Sequence, residues 1–162
     1  QNKRFVKFLL ARMTAWCEQQ AGMSSNFVTY YAPSSGKPFE VEHIWADKFL
    51  RHKDQFEQEN EFQNYRNRLG GLVLLPRGTN QSYGDLPYED KQTHYIKENL
   101  LVKSLCSLAY ENNPNFLGLN KRMNQVFQPH AVFKKQHVDA RQQLYRAMCE
   151  QIWPEQFVTE MD

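Results

Sequence analysis

Apolar residues recur at Val6, Leu9, Leu10, Met13 and Trp16 or Cys17, the i, i+3, i+4, i+7 spacing of one helical face, and predict an amphipathic helix from about Arg4 to Gln20. The pattern then dissolves. Gly22 to Pro38 carries Ser24, Ser25, Pro33, Ser34, Ser35 and Gly36 and reads as a loop, interrupted by Phe27-Val28-Thr29-Tyr30-Tyr31, whose β-branched and aromatic residues predict a short strand. Phe39 to Ile44 alternates and Leu72 to Leu75 is continuously apolar, so both read as strands. Residues 46–68 between them are polar, with Phe49, Phe56 and Phe62 as apolar anchors of an inserted helix. Further on, Asp85 as N-cap and Pro87 in a first turn open a helix expected to run to Tyr110, ended by Asn112-Asn113-Pro114. Helices around Leu119–Phe127 and from about His137 to Trp153 complete the layout. The expected class is α+β and mostly helical: a short antiparallel hairpin plus helix, embedded in a helical domain.

At 162 residues and 41% hydrophobic, the chain can bury one core, so residues 1–162 are expected to form a single domain. No apolar run approaches a membrane span, and Gln1 opens the sequence without an initiator Met or a signal peptide. The expectation is a domain excised from a larger soluble protein. Cys17, Cys106 and Cys149 are odd in number and form no Cys-x-x-Cys pair. They read as buried thiols in a reducing cytoplasm, and they rule out a structural zinc held by paired cysteines. Net charge is only +2, but residues 40–62 carry seven acids against three bases, and residues 112–149 six bases against one acid. An acidic stretch beside a basic helical flank fits a protein that grips phosphates; the plainer reading of that flank is a solvated helix face.

The chemistry is concentrated in Glu42-His43-Ile44, followed 37 positions after His43 by Asn80. Phosphodiester hydrolysis needs a base for the attacking water and neutralisation of the charge that grows on the phosphoryl and leaving oxygens. Histidine suits the first task, being mostly neutral at physiological pH. Glu42 and the Asn80 carbonyl are hard oxygen donors that suit Mg²⁺ or Mn²⁺. Glu40 shares the strand face of Glu42 and is the reserve ligand. Arg77, in the loop that delivers Asn80, is the candidate phosphate contact. Plainer readings stand beside these: a turn-forming asparagine for Asn80, an exposed strand residue for Glu42, an ordinary surface lysine for Lys91, and surface or helix-face positions for His52, His94, His130 and His137. Arg141, set among apolar neighbours, reads as half of a buried ion pair or as a group reaching the active-site side.

In order and spacing, Glu42-His43-Ile44-Trp45-Ala46, Gly70-Gly71-Leu72-Val73-Leu74-Leu75, Asn80, Lys91, Arg141 and Ile152-Trp153-Pro154 resemble the His-Me finger (HNH, ββα-metal) nucleases. The resemblance is closest to the C-terminal nuclease domain of GmrSD-type modification-dependent restriction endonucleases. It implies a ββα-metal finger over residues 39–110 with residues 46–68 inserted, flanked by helical segments 1–20 and 115–153. It also implies His43 as general base, Glu42 and Asn80 as metal ligands, and Lys91 near the scissile phosphate or bracing the site. Two positions depart from the family. Ala46 replaces a proline, which removes a φ constraint but no chemistry. Gly71 replaces an asparagine that orients the histidine, so either a backbone carbonyl of the second strand or an amide such as Asn67 is expected to hold the ring instead.

Three functions follow. The first is a metal-dependent DNA endonuclease or nickase of a cytoplasmic restriction and phage-defence protein, coupled to an N-terminal nucleotide-using or sensor domain and able to act as a dimer. The second is a catalytically weakened module that binds DNA or a partner domain. The third, a zinc hydrolase built on His43, is disfavoured because no His-Glu-x-x-His spacing is present.

Overall fold

A computed structural model describes residues 2–154, with the side chain of Asn80 outside the described part. The elements are α1 (Lys3–Gln20), α2 (Phe27–Tyr31), β1 (Phe39–His43), α3 (Glu59–Arg66), β2 (Leu72–Pro76), α4 (Thr79–Tyr83), α5 (Tyr88–Tyr95), α6 (Leu100–Lys103), α7 (Pro114–Arg122) and α8 (Lys135–Ile152). Short 3-10 turns at Phe49–His52, Leu69–Gly71 and Ser107–Tyr110 join them. The architecture is α+β and mostly helical, with one two-stranded antiparallel hairpin among the described residues.

The hairpin pairs Phe39 with Pro76, Val41 with Leu74 and His43 with Leu72. Alternation along each strand then divides the molecule into two cores. Phe39 and Val41 join Leu72 and Leu74 in a cluster with Leu10 and Met13 of α1, Phe116 of α7 and Tyr145 of α8. On the opposite face Val73 and Leu75 pack with Ile44, Trp45, Phe56, Phe62 and Tyr95. The inserted segment is therefore part of the core: Phe56 and Phe62 are buried and both pack against Trp45, whose indole Nε1 donates to the Phe133 carbonyl at 2.5 Å.

Several expectations change. Residues 27–31 form a helix rather than a strand, because the Asn26 side chain caps the Thr29 N–H at 3.0 Å and Phe27 stacks on Tyr31 one turn later. The helix expected over 87–110 is broken into α5, α6 and a 3-10 turn. Asn99 causes the second start: its Oδ1 accepts from Val102 N–H at 3.1 Å while its Nδ2 donates to the Leu74 carbonyl at 2.9 Å. Asp85 does not cap α5; its carbonyl instead accepts from Arg51 at 2.8 Å. The helix expected over 119–127 starts earlier, at Pro114, and ends at Arg122.

Two buried polar groups tie the elements together, the first helix to helix and the second helix to hairpin. Glu18 accepts from Ser25 Oγ (2.8 Å), Tyr30 Oη (2.5 Å) and Leu100 N–H (3.2 Å), which links α1, α2 and α6. Arg141 of α8 is buried but has no carboxylate partner among the described residues. Its guanidinium donates to Ser104 Oγ (2.8 Å), the Leu101 carbonyl (3.0 Å) and Tyr145 Oη (3.0 Å), and Tyr145 donates onward to the Leu72 carbonyl at 2.7 Å. Arg141 is thus held by neutral oxygens, and both the ion-pair reading and the active-site reading are set aside.

Candidate active site

His43 ends β1 on the α1 side of the hairpin, half-buried, and lines an open groove of about 860 Å³ with Lys3, Lys7, Phe39, Asn67 and Arg77. Its Nε2 lies 2.8 Å from Asn67 Oδ1. Asn67, the C-cap of α3, donates its own Nδ2 to the Gln63 carbonyl at 2.9 Å. That second bond fixes which end of the amide faces the ring. An oxygen opposite Nε2 makes that nitrogen the N–H donor, a tautomer assigned from the hydrogen-bond network, and leaves the Nδ1 lone pair free to accept a proton. Burial, followed by the Arg66 guanidinium, pushes the His43 pKa below its ordinary value, against the raising effect of Asn67. A neutral imidazole with one nitrogen anchored is the form a general base requires.

Glu42 occupies the opposite face of the strand. Its carboxylate is fully buried, with Oε1 3.1 Å from Lys91 Nζ and Oε2 accepting from Tyr95 Oη at 3.0 Å. The ammonium also donates to the His43 carbonyl (3.1 Å) and the Ile44 carbonyl (3.2 Å), so its three donors are all engaged. Burial raises the Glu42 pKa and lowers that of Lys91, and their mutual attraction opposes both shifts. Lys91 is placed to brace the end of β1. A direct contact with nucleic acid, expected from the sequence, is ruled out in this arrangement because the side chain is fully buried.

Glu40, the reserve ligand, pairs with the exposed Arg77 at 2.8 Å. Asn80 falls within α4, and its side chain lies outside the described residues. Among the described residues no group of three or more His, Cys, Asp and Glu side chains converges as a metal-ion site. As placed, Glu42 does not fit a divalent ion: it is sealed from solvent, and one of its oxygens already faces a cation.

The basic flank at residues 112–149 is largely committed elsewhere. Lys134 pairs with Asp54 (2.9 Å), Arg146 with Glu150 (3.2 Å), and Arg141 is buried. Of the other histidines, His130 is buried, which corrects its surface reading. His52 stacks on Phe62, His94 on Tyr83, and His137 Nδ1 accepts the Lys134 N–H at 2.8 Å. The sequence alone did not single out Arg66 or the cations of α1. The last left a legible trace, since residues 1–17 contain Lys3, Arg4, Lys7 and Arg12 and no acid.

The first strand of the hairpin ends in Glu42-His43, the second is followed by the helix that carries Asn80, and Lys91 of α5 returns to the end of the first strand. The family model for GmrSD restriction endonucleases, C-terminal domain, matches residues 2–148, and the chain belongs to that family. No curated protein and no solved structure matches the chain. No helix among the described residues is long and apolar enough to cross a membrane.

Proposed function

We propose that this domain hydrolyses DNA phosphodiester bonds, as an endonuclease or nickase of the HNH type, within a larger restriction or phage-defence protein. The observation that carries the reading is the His43 ring, anchored through Nε2 by Asn67 and lining the groove. In the proposed reaction Nδ1 takes a proton from water as the water oxygen bonds to phosphorus. The bond from phosphorus to the 3′ oxygen breaks, leaving a 5′ phosphate and a 3′ hydroxyl once that oxygen gains a proton. In this reading Arg77, which lines the groove and pairs with Glu40, meets a phosphate by exchanging one carboxylate partner for another anion.

A Mg²⁺ or Mn²⁺ ion on Glu42 and Asn80, implied by the family resemblance, would supply charge neutralisation. The present arrangement of Glu42 does not accommodate it, so no step is drawn through the ion. One catalytic centre cuts one strand, so a monomer nicks and a dimer cuts both strands. A cytoplasmic setting and an N-terminal nucleotide-using or sensor domain that licenses cleavage belong to the same proposal.

The sealed Glu42–Lys91 pair favours the second reading, a weakened module that binds DNA or a partner domain. Supercoiled plasmid incubated with the protein, with and without Mg²⁺ or Mn²⁺, separates the two. Nicked or linear product that disappears with His43→Ala supports the nuclease. Plasmid binding with no product from the native protein at any cation supports the binding module.

A further inference from the structure

The groove beside His43 has a composition that a duplex backbone does not use. Its floor is apolar, made by Val6 of α1, Phe39 and Val41 of β1 and Leu72 of β2, while Lys3, Lys7 and Arg77 line it alongside. Glu40 is the acid among the lining residues, and it is already paired with Arg77. The groove is bounded on one side by the N-terminal turns of the 18-residue helix α1, whose dipole adds positive potential there. Volume matters too: about 860 Å³ lies within the roughly 300–1,000 Å³ of pockets that enclose a small organic ligand.

In duplex DNA the bases are stacked inside, and the surface facing a protein is phosphate, sugar and base edges. An apolar floor with an aromatic ring is matched by the flat face of a base only when that base leaves the stack, as it does in single strands or on flipping. Cations along an apolar floor repeat the arrangement of single-strand channels, in which phosphates meet bases of the protein and nucleobases meet its rings.

We infer that the groove between α1 and β1 seats an unpaired stretch of the DNA strand, with Lys3, Lys7 and Arg77 holding phosphates and the Phe39–Val41–Leu72 floor receiving the turned-out base. This rests on the nuclease reading only in placing the scissile phosphate at His43; occupancy of the groove does not depend on cleavage.

The test uses fluorescein-labelled oligonucleotides in EDTA, compared as single strand and as the matching duplex, with anisotropy as readout. The single strand is expected to bind more tightly. Charge reversal at Lys3→Glu with Lys7→Glu, both outside the core, is expected to weaken single-strand binding by about tenfold or more and to reduce the salt slope by about 1.4 for two lost phosphate contacts. A single strand carrying 5-iodouracil is expected to photo-cross-link to Phe39. Duplex binding equal to or tighter than single-strand binding, an affinity untouched by the two reversals, or cross-links confined to another face would each overturn the inference. Plasmid nicking that survives the reversals would overturn the groove and leave the nuclease reading standing. Groove binding without cleavage at any cation would do the opposite.

Discussion

The imidazole of His43 and the carboxamide of Asn67 meet at 2.8 Å across 24 residues of sequence, an amide contact of the kind that the family resemblance implies from an asparagine at position 71. The amide is itself held by the Gln63 carbonyl, so Asn67 is a positioning residue for the proposed base. Asn67→Ala is expected to lower nicking about tenfold to a hundredfold, the usual range for losing a group that orients a site histidine. Asn67→Asp keeps the acceptor and adds a negative charge, which raises the His43 pKa. A base must be neutral to work, so the acid limb of the pH–rate profile should move to higher pH in Asn67→Asp. Side-chain ¹⁵N shifts of His43 should report Nε2–H in the native protein and a mixture of tautomers in Asn67→Ala. An unchanged tautomer in Asn67→Ala would show that the amide does not orient the ring.

Glu42 and Lys91 form an ion pair with neither side chain exposed. Removing one partner of such a pair leaves a buried charge uncompensated, which typically costs about 3–5 kcal/mol. Lys91→Met should therefore lower the urea-unfolding free energy by about that amount. The double variant Lys91→Met with Glu42→Gln removes both charges yet keeps an acceptor for Tyr95, and should recover most of the loss. If the single and double variants are equally unstable, packing rather than charge explains the effect.

The first hairpin strand and the terminal helices were legible because each carries a strong local period: two for Phe39 to Ile44, and 3.6 along α1 and α8. What the chain did not disclose depends on distant partners. Phe27–Tyr31 has strand composition, but one capping amide at Asn26 and a stacked pair at helical spacing turn it into a helix. The pattern from 87 to 110 reads as continuous until Asn99 finds a carbonyl on β2. At the site, the adjacency of Glu42 and His43 suggested shared work, whereas strand alternation sends them to opposite faces and gives Glu42 to Lys91 and Tyr95. Asn67 was visible as an amide near the finger, but only the end of α3 selects it over a strand carbonyl.

Burial pushes the His130 pKa down to about 4, with Arg141 and the neighbouring His137 acting in the same direction. A histidine depressed in the folded state binds fewer protons there than in the unfolded chain, so stability rises with pH across the window between the two pKa values. The contribution is fully present above about pH 6.5 and is lost as pH falls toward about 4, with a slope of at most about 1.4 kcal/mol per pH unit. His43, His52 and His137 are lowered in the same sense. Urea unfolding measured between pH 7.5 and pH 4.5 should show this decline, and His130→Phe should make it shallower. An identical slope in that variant would assign the acid sensitivity to other groups.

Gly70 and Gly71 are adjacent, both buried and neither at positive φ, yet their replacement should have different consequences. A Cβ at Gly70 would lie 2.6 Å from both the Val138 carbonyl and the Gln142 N–H nitrogen, backbone atoms of α8 that move only with the whole helix. Gly70→Ala is therefore expected to cost about 3 kcal/mol, at the upper end for overpacking, and to loosen α8 from the hairpin. At Gly71 the nearest atom is the Arg66 carbonyl at 3.1 Å, in the last turn of α3, which has to yield by only a few tenths of an ångström. Gly71→Ala should cost about 1 kcal/mol. Gly71→Asn restores the amide implied by the family resemblance, but His43 Nε2 is already engaged by Asn67, so cleavage should not rise above native. In the Asn67→Ala background the same substitution should recover activity, because the ring nitrogen then lacks its partner. Plasmid nicking by the four combinations of these two changes decides the matter: a gain from Gly71→Asn with Asn67 present would show that the native amide leaves the ring incompletely oriented.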